Sequence, residues 1–120
     1  MKRVLVVEDT EDNRKIIRDL LTSAGYETIE AVTGEEGVAM AAEHRPDLIL
    51  MDVQLPVLDG YEATRRIKAA PALQHIPIVA VTSYALSGDE EKARAAGCDG
   101  YIAKPFSPRQ LLGKVRELLG

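Results

Sequence analysis

Four apolar runs in this chain are each followed directly by oxygen or nitrogen side chains. Glu8 and Asp9 follow Val4-Leu5-Val6-Val7, Asp52 follows Leu48-Ile49-Leu50-Met51, Thr82 follows Ile78-Val79-Ala80-Val81, and Lys104 follows Tyr101-Ile102-Ala103. If these runs are strands of one parallel sheet, their ends meet at its carboxyl edge, where open α/β sheets hold their ligands. Three carboxylates, a hydroxyl and an ammonium gathered there describe a site for a divalent metal and a phosphoryl group. Two carboxylates about 4 Å apart repel by roughly 4 kcal/mol at an effective dielectric of 20, so such a cluster needs a cation or a shifted pKa. Mg2+ suits it, as a hard ion that uses one or two carboxylates and often completes its shell with water and phosphate; Mn2+ is the other ion expected to fit. The Thr82 hydroxyl can bond one phosphoryl oxygen, and the Lys104 ammonium can meet another as a point charge. Each residue alone has an ordinary explanation: an acid capping the next helix, a good strand-end threonine, a surface lysine before Pro105. Their coincidence at one edge does not.

The elements that must position them are legible in the periodicity. Short β-rich runs at about 3–7, 27–32, 47–51, 77–82 and 100–103 alternate with helical patterns at about 12–24, 34–44, 60–70, 88–97 and 108–119. Runs one, three and four are apolar without alternation, as central parallel strands buried on both faces should be. Run two alternates and run five is short, so both suit edges. Five strands each followed by a helix predict a doubly wound α/β fold: a five-stranded parallel sheet, flavodoxin-like (βα)5, in the order 2-1-3-4-5.

The helices carry their own punctuation. Ile16, Ile17, Leu20, Leu21 and Ala24 form an apolar stripe in the first, which Gly25 can end in the left-handed conformation. Thr33 with Glu36, Asp59 with Glu62, and Ser87 with Glu90 have the spacing of an N-cap and its reciprocal acid. Ser107-Pro108-Arg109-Gln110 puts a proline at the first helical position. The last helix is expected to pack through Leu111, Leu112, Val115, Leu118 and Leu119. The fourth offers mainly Ala93 and Ala96 and should be among the less firmly anchored elements.

At 120 residues the chain is read as one domain, spanning 1–120. A net charge of -4 argues against a surface built for nucleic-acid backbone, and Arg65, Arg66 and Lys68 are expected to form a solvated helix face. The single cysteine, Cys98, precludes an internal disulfide and is read as a small packed residue. No apolar stretch nears the roughly 20 residues of a membrane span, and no signal-peptide core is seen, so a soluble, cytoplasmic protein is expected. His44 and His75 lack Cys or His neighbours at ligand spacing and are read as surface residues. The glycines form no phosphate-cradling series.

The sequence Val7-Glu8-Asp9, Met51-Asp52-Val53-Gln54-Leu55-Pro56 with Asp59-Gly60, Val81-Thr82-Ser83 and Lys104-Pro105 resembles the receiver domains of bacterial two-component response regulators, over essentially the whole chain. Gly88-Asp89-Glu90 and Ala96-Gly97-Cys98 look most like those of the single-domain type that governs cell fate, though receivers of hybrid kinases share much of this wording. The resemblance implies that Asp52 is the phosphoacceptor, attacking phosphohistidine on a sensor histidine kinase or histidine phosphotransferase. It implies metal binding by Asp9, Asp52 and the Gln54 backbone carbonyl, with Glu8 acting mostly through a metal-bound water. Thr82 and Lys104 would hold phosphoryl oxygens, Tyr101 would follow Thr82 as the switch aromatic, and the Lys104-Pro105 peptide would be cis. Gln54, Ser83 and Tyr84 would border access to the phosphoryl group. Output would pass to a protein target through the fourth helix, fifth strand and fifth helix, from a monomer or a phosphorylation-dependent dimer, without direct contact to nucleic acid or membrane. Such a protein is not an enzyme in the usual sense but promotes its own phosphorylation and dephosphorylation. A metal-dependent phosphohydrolase acting through an aspartyl-phosphate is the alternative. It commonly carries a second aspartate two residues after the nucleophile, where this chain has Gln54. A flavin or nucleotide carrier fits an acidic cluster worse still. Tyr84, two residues beyond Thr82, is expected to shield the aspartyl-phosphate from water with its ring. Hydrolysis of the aspartyl-phosphate should therefore accelerate in Tyr84→Ala, measured as loss of label after donor removal; an unchanged or slower rate would show that the ring shields nothing.

Overall fold

The uninterrupted apolar runs become the middle of a parallel sheet in the computed structural model, which describes residues 1–83 and 88–119. In chain order the elements are β1 (Arg3–Val7), α1 (Glu11–Ser23), β2 (Glu27–Ala31), α2 (Gly34–His44), β3 (Leu48–Asp52), α3 (Gly60–Ala69), β4 (Ile78–Thr82), α4 (Asp89–Ala96), β5 (Gly100–Ala103) and α5 (Pro108–Leu119). The strands pair in the order β2-β1-β3-β4-β5, all parallel. Every residue of β3 and β4 is buried, whereas β2 and β5 at the edges are only partly covered. Register then aligns the functional ends. Val7 pairs with Met51, Asp52 with Val81, and Thr82 with Ala103, so Glu8, Asp52, Thr82 and Lys104 fall on one rim.

Because side chains alternate across a strand, each central strand feeds two cores. Leu5, Val7, Ile49, Met51 and Ile78 pack with Ala41 of α2 and with Ala63 and Ile67 of α3. Val4, Val6, Leu48, Leu50, Val79 and Val81 pack on the other face with Ile17 and Leu21 of α1 and Leu111 and Val115 of α5. The α4 side is thinner, burying Ala93 and Ala96 alone from the helix itself.

The predicted caps are largely present. Thr33 accepts from the Glu36 amide at 3.0 Å, and the Glu36 carboxylate accepts in return from Val32 N–H at 2.7 Å. Asp59 accepts from the Glu62 amide at 2.9 Å, but the Glu62 carboxylate turns to Arg65 and Arg66 instead of back to the cap. Ser107 and Gln110 form the reciprocal pair at 3.1 and 2.8 Å. At α4 the N-cap position is Gly88, with φ +90°; the expected cap at Ser87 lies outside the described residues. Gly25 has φ +92°, as its position after α1 requires.

Two expectations need correction. Ile16 is 55 % exposed and does not join the α1 core stripe, because Ile17 and Leu21 are the α1 residues that face the sheet, while Ile16 lines an open cleft with Pro105 and Phe106. Lys68 does not stand in solvent with Arg65 and Arg66. Its stem packs beside Gly97, and its ammonium holds the carbonyls of Gln74 (3.1 Å) and Ile76 (2.7 Å) and the carboxylate of Asp99 (2.9 Å). Asp99 in turn accepts from Ile78 N–H, so this lysine fixes where β4 and β5 begin.

The turn from β3 to α3 bends hard against the strand carrying Asp52. Val57 sits fully exposed at φ +67°, a conformation costly for a β-branched residue, and Gly60 N–H donates to Val53 at 3.1 Å. A methyl group on Gly60 would overlap the Asp52 carbonyl oxygen and reach 2.8 Å from the Val53 Cα. Gly60→Ala should therefore lower stability by about 1–3 kcal/mol, the range for overpacked sites, in urea or thermal unfolding. A variant as stable as the parent would show that the turn can yield without cost.

Candidate functional site

Glu8 leaves β1 buried, 2 % exposed, and nearly every polar atom it has is used. Its amide donates to Ala31 at 3.0 Å, and its carbonyl accepts from the Arg14 guanidinium at 2.8 Å. One carboxylate oxygen accepts from Thr10 N–H at 3.1 Å; the other accepts from the Lys104 ammonium at 2.8 Å. Asp52, 4 % exposed, accepts from Gln54 N–H at 3.1 Å through Oδ1, which lies 3.7 Å from Lys104 Nζ. Asp9 is exposed at the mouth. One oxygen from each of Glu8, Asp9 and Asp52 lies within 4.8 Å of the others. The open cleft around them has a volume of about 290 Å³ and is also lined by Asn13, Gln54, Ser83 and Lys104.

Three carboxylates share one ammonium, and their proton affinities divide accordingly. Burial pushes Asp52 up to about 6, reinforced by the neighbouring Glu8 charge and only partly offset by Lys104. Burial also raises Glu8, but the bonds from Lys104 and Thr10 outweigh it and leave that carboxyl below its ordinary range. Asp9 is raised by desolvation and by Glu8. An all-oxygen donor set with negative charge in excess is what a hard divalent cation requires, so the residues present fit Mg2+.

Thr82 ends β4 fully buried. The Gln54 side-chain nitrogen donates to Thr82 Oγ1 at 2.6 Å, while its side-chain Oε1 accepts from Ser83 N–H at 3.0 Å. Gln54 thus spans the access side of the site. Lys104 N–H donates to the Thr82 carbonyl at 2.6 Å, and the Lys104-Pro105 peptide is cis. Tyr84 lies outside the described residues.

Sequence reasoning brought Glu8, Asp9, Asp52, Gln54, Thr82, Ser83 and Lys104 together here. Asp89 escaped it. This first residue of α4 accepts from Tyr61 at 2.9 Å, from Tyr101 at 3.4 Å and from Thr82 at 3.5 Å. Its sequence signals are its place in Gly88-Asp89-Glu90 and an acid in a first helical turn, which Glu90 and Glu91 give equally, and neither assigns it a contact with the site. Also unforeseen is an apolar cleft of about 450 Å³ adjoining the acidic one, lined by Ile16, Ile17, Pro105 and Phe106 and sharing Asn13, Ser83 and Lys104 with it. Cys98 is half-buried, 3.8 Å from the Thr64 hydroxyl, and burial pushes its thiol up.

Asp52 also ties the site to stability. Its folded pKa of about 6 lies above the ordinary 3.8, so the stability it allows is complete below about pH 4 and is lost as pH rises through 6. In metal-free protein near pH 7, Asp52→Asn should stabilise the fold by about 1–3 kcal/mol, since each pKa unit is worth about 1.4 kcal/mol. The gain should vanish toward pH 4. Urea unfolding in chelator across this range checks it; an Asn variant no more stable at neutral pH would mean that the carboxylate is not disfavoured there.

Comparison with known proteins places these features. A family model described as a response regulator receiver domain matches residues 4–116. The polar-differentiation response regulator DivK of Brucella anthropi is 49% identical over 119 residues, covering 99% of this chain and 97% of that protein. DivK of Brucella ovis is 48% identical with the same coverage. Among solved structures, the receiver domain of a sensor histidine kinase from Pseudomonas aeruginosa, described with a magnesium ion coordinated in the active site cleft, superposes with a TM-score of 0.92 at 41% identity. The match covers 99% of this chain and 98% of that one. The chemotaxis protein CheY4 of Vibrio cholerae gives 0.93 at 32% identity, covering 99% of each chain.

Proposed function

The chain belongs to the family of response regulator receiver domains, and on that premise we propose that Asp52 is its phosphoacceptor. The protein is a phosphoacceptor signalling component of a two-component phosphorelay. The observation that carries the residue assignment is a buried carboxylate of raised proton affinity, with an ammonium 3.7 Å from its Oδ1 and two further acids beside it. An Asp52 oxygen attacks the phosphorus of a phosphohistidine on the partner; the new P–O bond forms as the P–N bond breaks, and the electron pair leaves with the imidazole. Transfer of this kind has a loose transition state and is promoted by positioning and charge neutralisation.

Each neighbour has a part in this reading. Lys104 offers its ammonium to a phosphoryl oxygen, and Thr82 offers its hydroxyl to another. Asp9, Asp52 and the Gln54 backbone carbonyl would hold Mg2+ directly, with Glu8 reaching it through water; when bound, the ion would supply positive charge that screens the incoming phosphoryl group from the carboxylates. Mn2+ is expected to substitute. Gln54, Ser83 and Tyr84 control access of water. The apolar cleft beside Lys104, with Ile16 half open to solvent, suits docking of the histidine kinase or phosphotransferase that presents the donor. Output runs through Thr82 and Tyr101 to the face formed by α4, β5 and α5, where a downstream protein or a second copy would bind. The protein serves as a phosphoacceptor, catalysing only its own phosphorylation and dephosphorylation, and works in the cytoplasm.

The phosphohydrolase alternative is not supported: Gln54, an amide, occupies the position where such an enzyme would need a proton-exchanging acid. A small-molecule phosphodonor with Mg2+ should label the wild-type protein on Asp52 alone, detected by intact mass and peptide mapping. Asp52→Asn should lose the label while keeping the fold, and chelator should suppress it. Label that survives the substitution, or excess chelator, would sink the assignment.

A further inference from the structure

Asp89 gathers hydroxyls from three elements. Its Oδ1 accepts from Tyr61 of α3 at 2.9 Å, and its main-chain carbonyl lies 3.3 Å from the same phenol. Its Oδ2 is shared by Thr82 of β4 at 3.5 Å and Tyr101 of β5 at 3.4 Å. An acid in the first turn of a helix ordinarily serves the helix dipole. Glu90 and Glu91 do that equally well, yet no phenol reaches either of them among the described contacts. Both phenols that reach Asp89 are pushed above their usual range, by burial first and then by the carboxylate. The helix that Asp89 begins has only Ala93 and Ala96 in the core, so these polar bonds are a large share of what fixes its first turn.

We propose that Asp89 is the positioning residue of the switch: its carboxylate holds Thr82, Tyr101 and the first turn of α4 in their resting arrangement. This deepens the assignment of Thr82 and Tyr101 as switch residues and rests on it. A single oxygen serves both hydroxyls, so the two positions are linked before any phosphoryl group arrives. Thr82 Oγ1 is held between the Gln54 amide on one side and Asp89 on the other. Movement toward Asp52 stretches an Asp89 contact already at 3.5 Å, leaving Tyr101 as the one hydroxyl on that oxygen among the described residues and α4 with one fewer tie. A ligand shifts such an equilibrium only by its differential affinity for the two states, and weakening the resting state shifts it in the same direction without ligand.

The test is Asp89→Asn, which keeps the shape and one carbonyl acceptor for Tyr61 but turns the shared acceptor into a donor. In full-length protein containing fluorotyrosine, resonances are assigned with Tyr61→Phe and Tyr101→Phe. The unphosphorylated variant should show the Tyr101 resonance displaced toward its position in phosphorylated wild type, with Tyr61 little changed. Labelling by a small phosphodonor with Mg2+ should quicken by about threefold or more, the effect of losing one hydrogen bond of ordinary strength from the resting state. On the Tyr101→Phe background the same substitution should do less, since one of the linked hydroxyls is gone. Asp89→Ala provides a second variant, expected to move Tyr101 the same way while also releasing Tyr61. A structural role alone would lower unfolding temperature without moving Tyr101 toward the phosphorylated position. If phosphorylation moves Tyr101 in wild type but neither variant does so at rest, or if labelling is unchanged or slower, Asp89 does not hold the switch. If phosphorylation leaves Tyr101 unmoved in wild type, the switch assignment itself falls, and this inference with it.

Discussion

Glu8 and Asp52 compete for one ammonium. Lys104 lies 2.8 Å from the first and 3.7 Å from the second, and both carboxylates are almost wholly removed from water. Burial, reinforced by the Glu8 charge, pushes the Asp52 carboxyl up to about 6, and the more distant ammonium offsets that only in part. The rest of the molecule depends on this imbalance being held in place. Without a rigid support, the acids would swing into solvent, where repulsion falls and hydration is recovered. The sheet prevents that. Register between β1, β3, β4 and β5 fixes the four strand ends, and the two cores beneath them are packed from aliphatic side chains that leave no room for the rim to relax.

Supports outside the sheet repeat the same logic at lower cost. Arg14, itself held by Glu30 at 3.3 Å, donates to the Glu8 carbonyl and so pins the backbone from which the acid projects. Gly60 lets the start of α3 close on the backbone of Asp52 and Val53, and the strained exposed turn at Val57 is the conformational consequence of bringing it there. Lys68 and Asp99 align the opposite ends of β4 and β5, well away from the chemistry. Through them the distance from Thr82 to Lys104 is set by backbone register rather than by mobile side chains.

How much of this the sequence discloses follows from what kind of signal each feature leaves. Strands β1, β3 and β4 are buried on both faces and write long apolar runs, so their existence, their central position and the residues at their ends could be read directly. The resemblance carried by Glu8-Asp9, Asp52, Thr82 and Lys104-Pro105 then gave the pocket almost completely. Ile16 was misplaced because a stripe at helical spacing does not say how wide the buried face is. Lys68 was misplaced because a lysine stem can bury along apolar surface while its head bonds carbonyls far away in sequence, which charge patterning alone cannot reveal. Asp89 was missed for a related reason. Its partners Tyr61, Thr82 and Tyr101 lie on three separate elements, and only the folded arrangement makes them neighbours.

The resting contacts also bound how strong a signal this fold can send. A partner that distinguishes two forms by about 100-fold needs roughly 2.7 kcal/mol of differential binding. A neutral hydrogen bond contributes about 0.5–1.5 kcal/mol net and one to a charged group about 1.5–3 kcal/mol, so the Gln54–Thr82 bond alone does not supply that difference. The bonds joining Gln54, Thr82, Asp89 and Tyr101 supply it if they change together. On the proposed switch, sharing of one Asp89 oxygen by two hydroxyls would couple them, and α4 buries only Ala93 and Ala96 beneath it. The rigid and soft parts of the molecule are thus divided by function. Close packing under β1, β3 and β4 keeps the acids in mutual conflict, and on the proposed switch thin packing under α4 would let the relief of that conflict be felt at a distance.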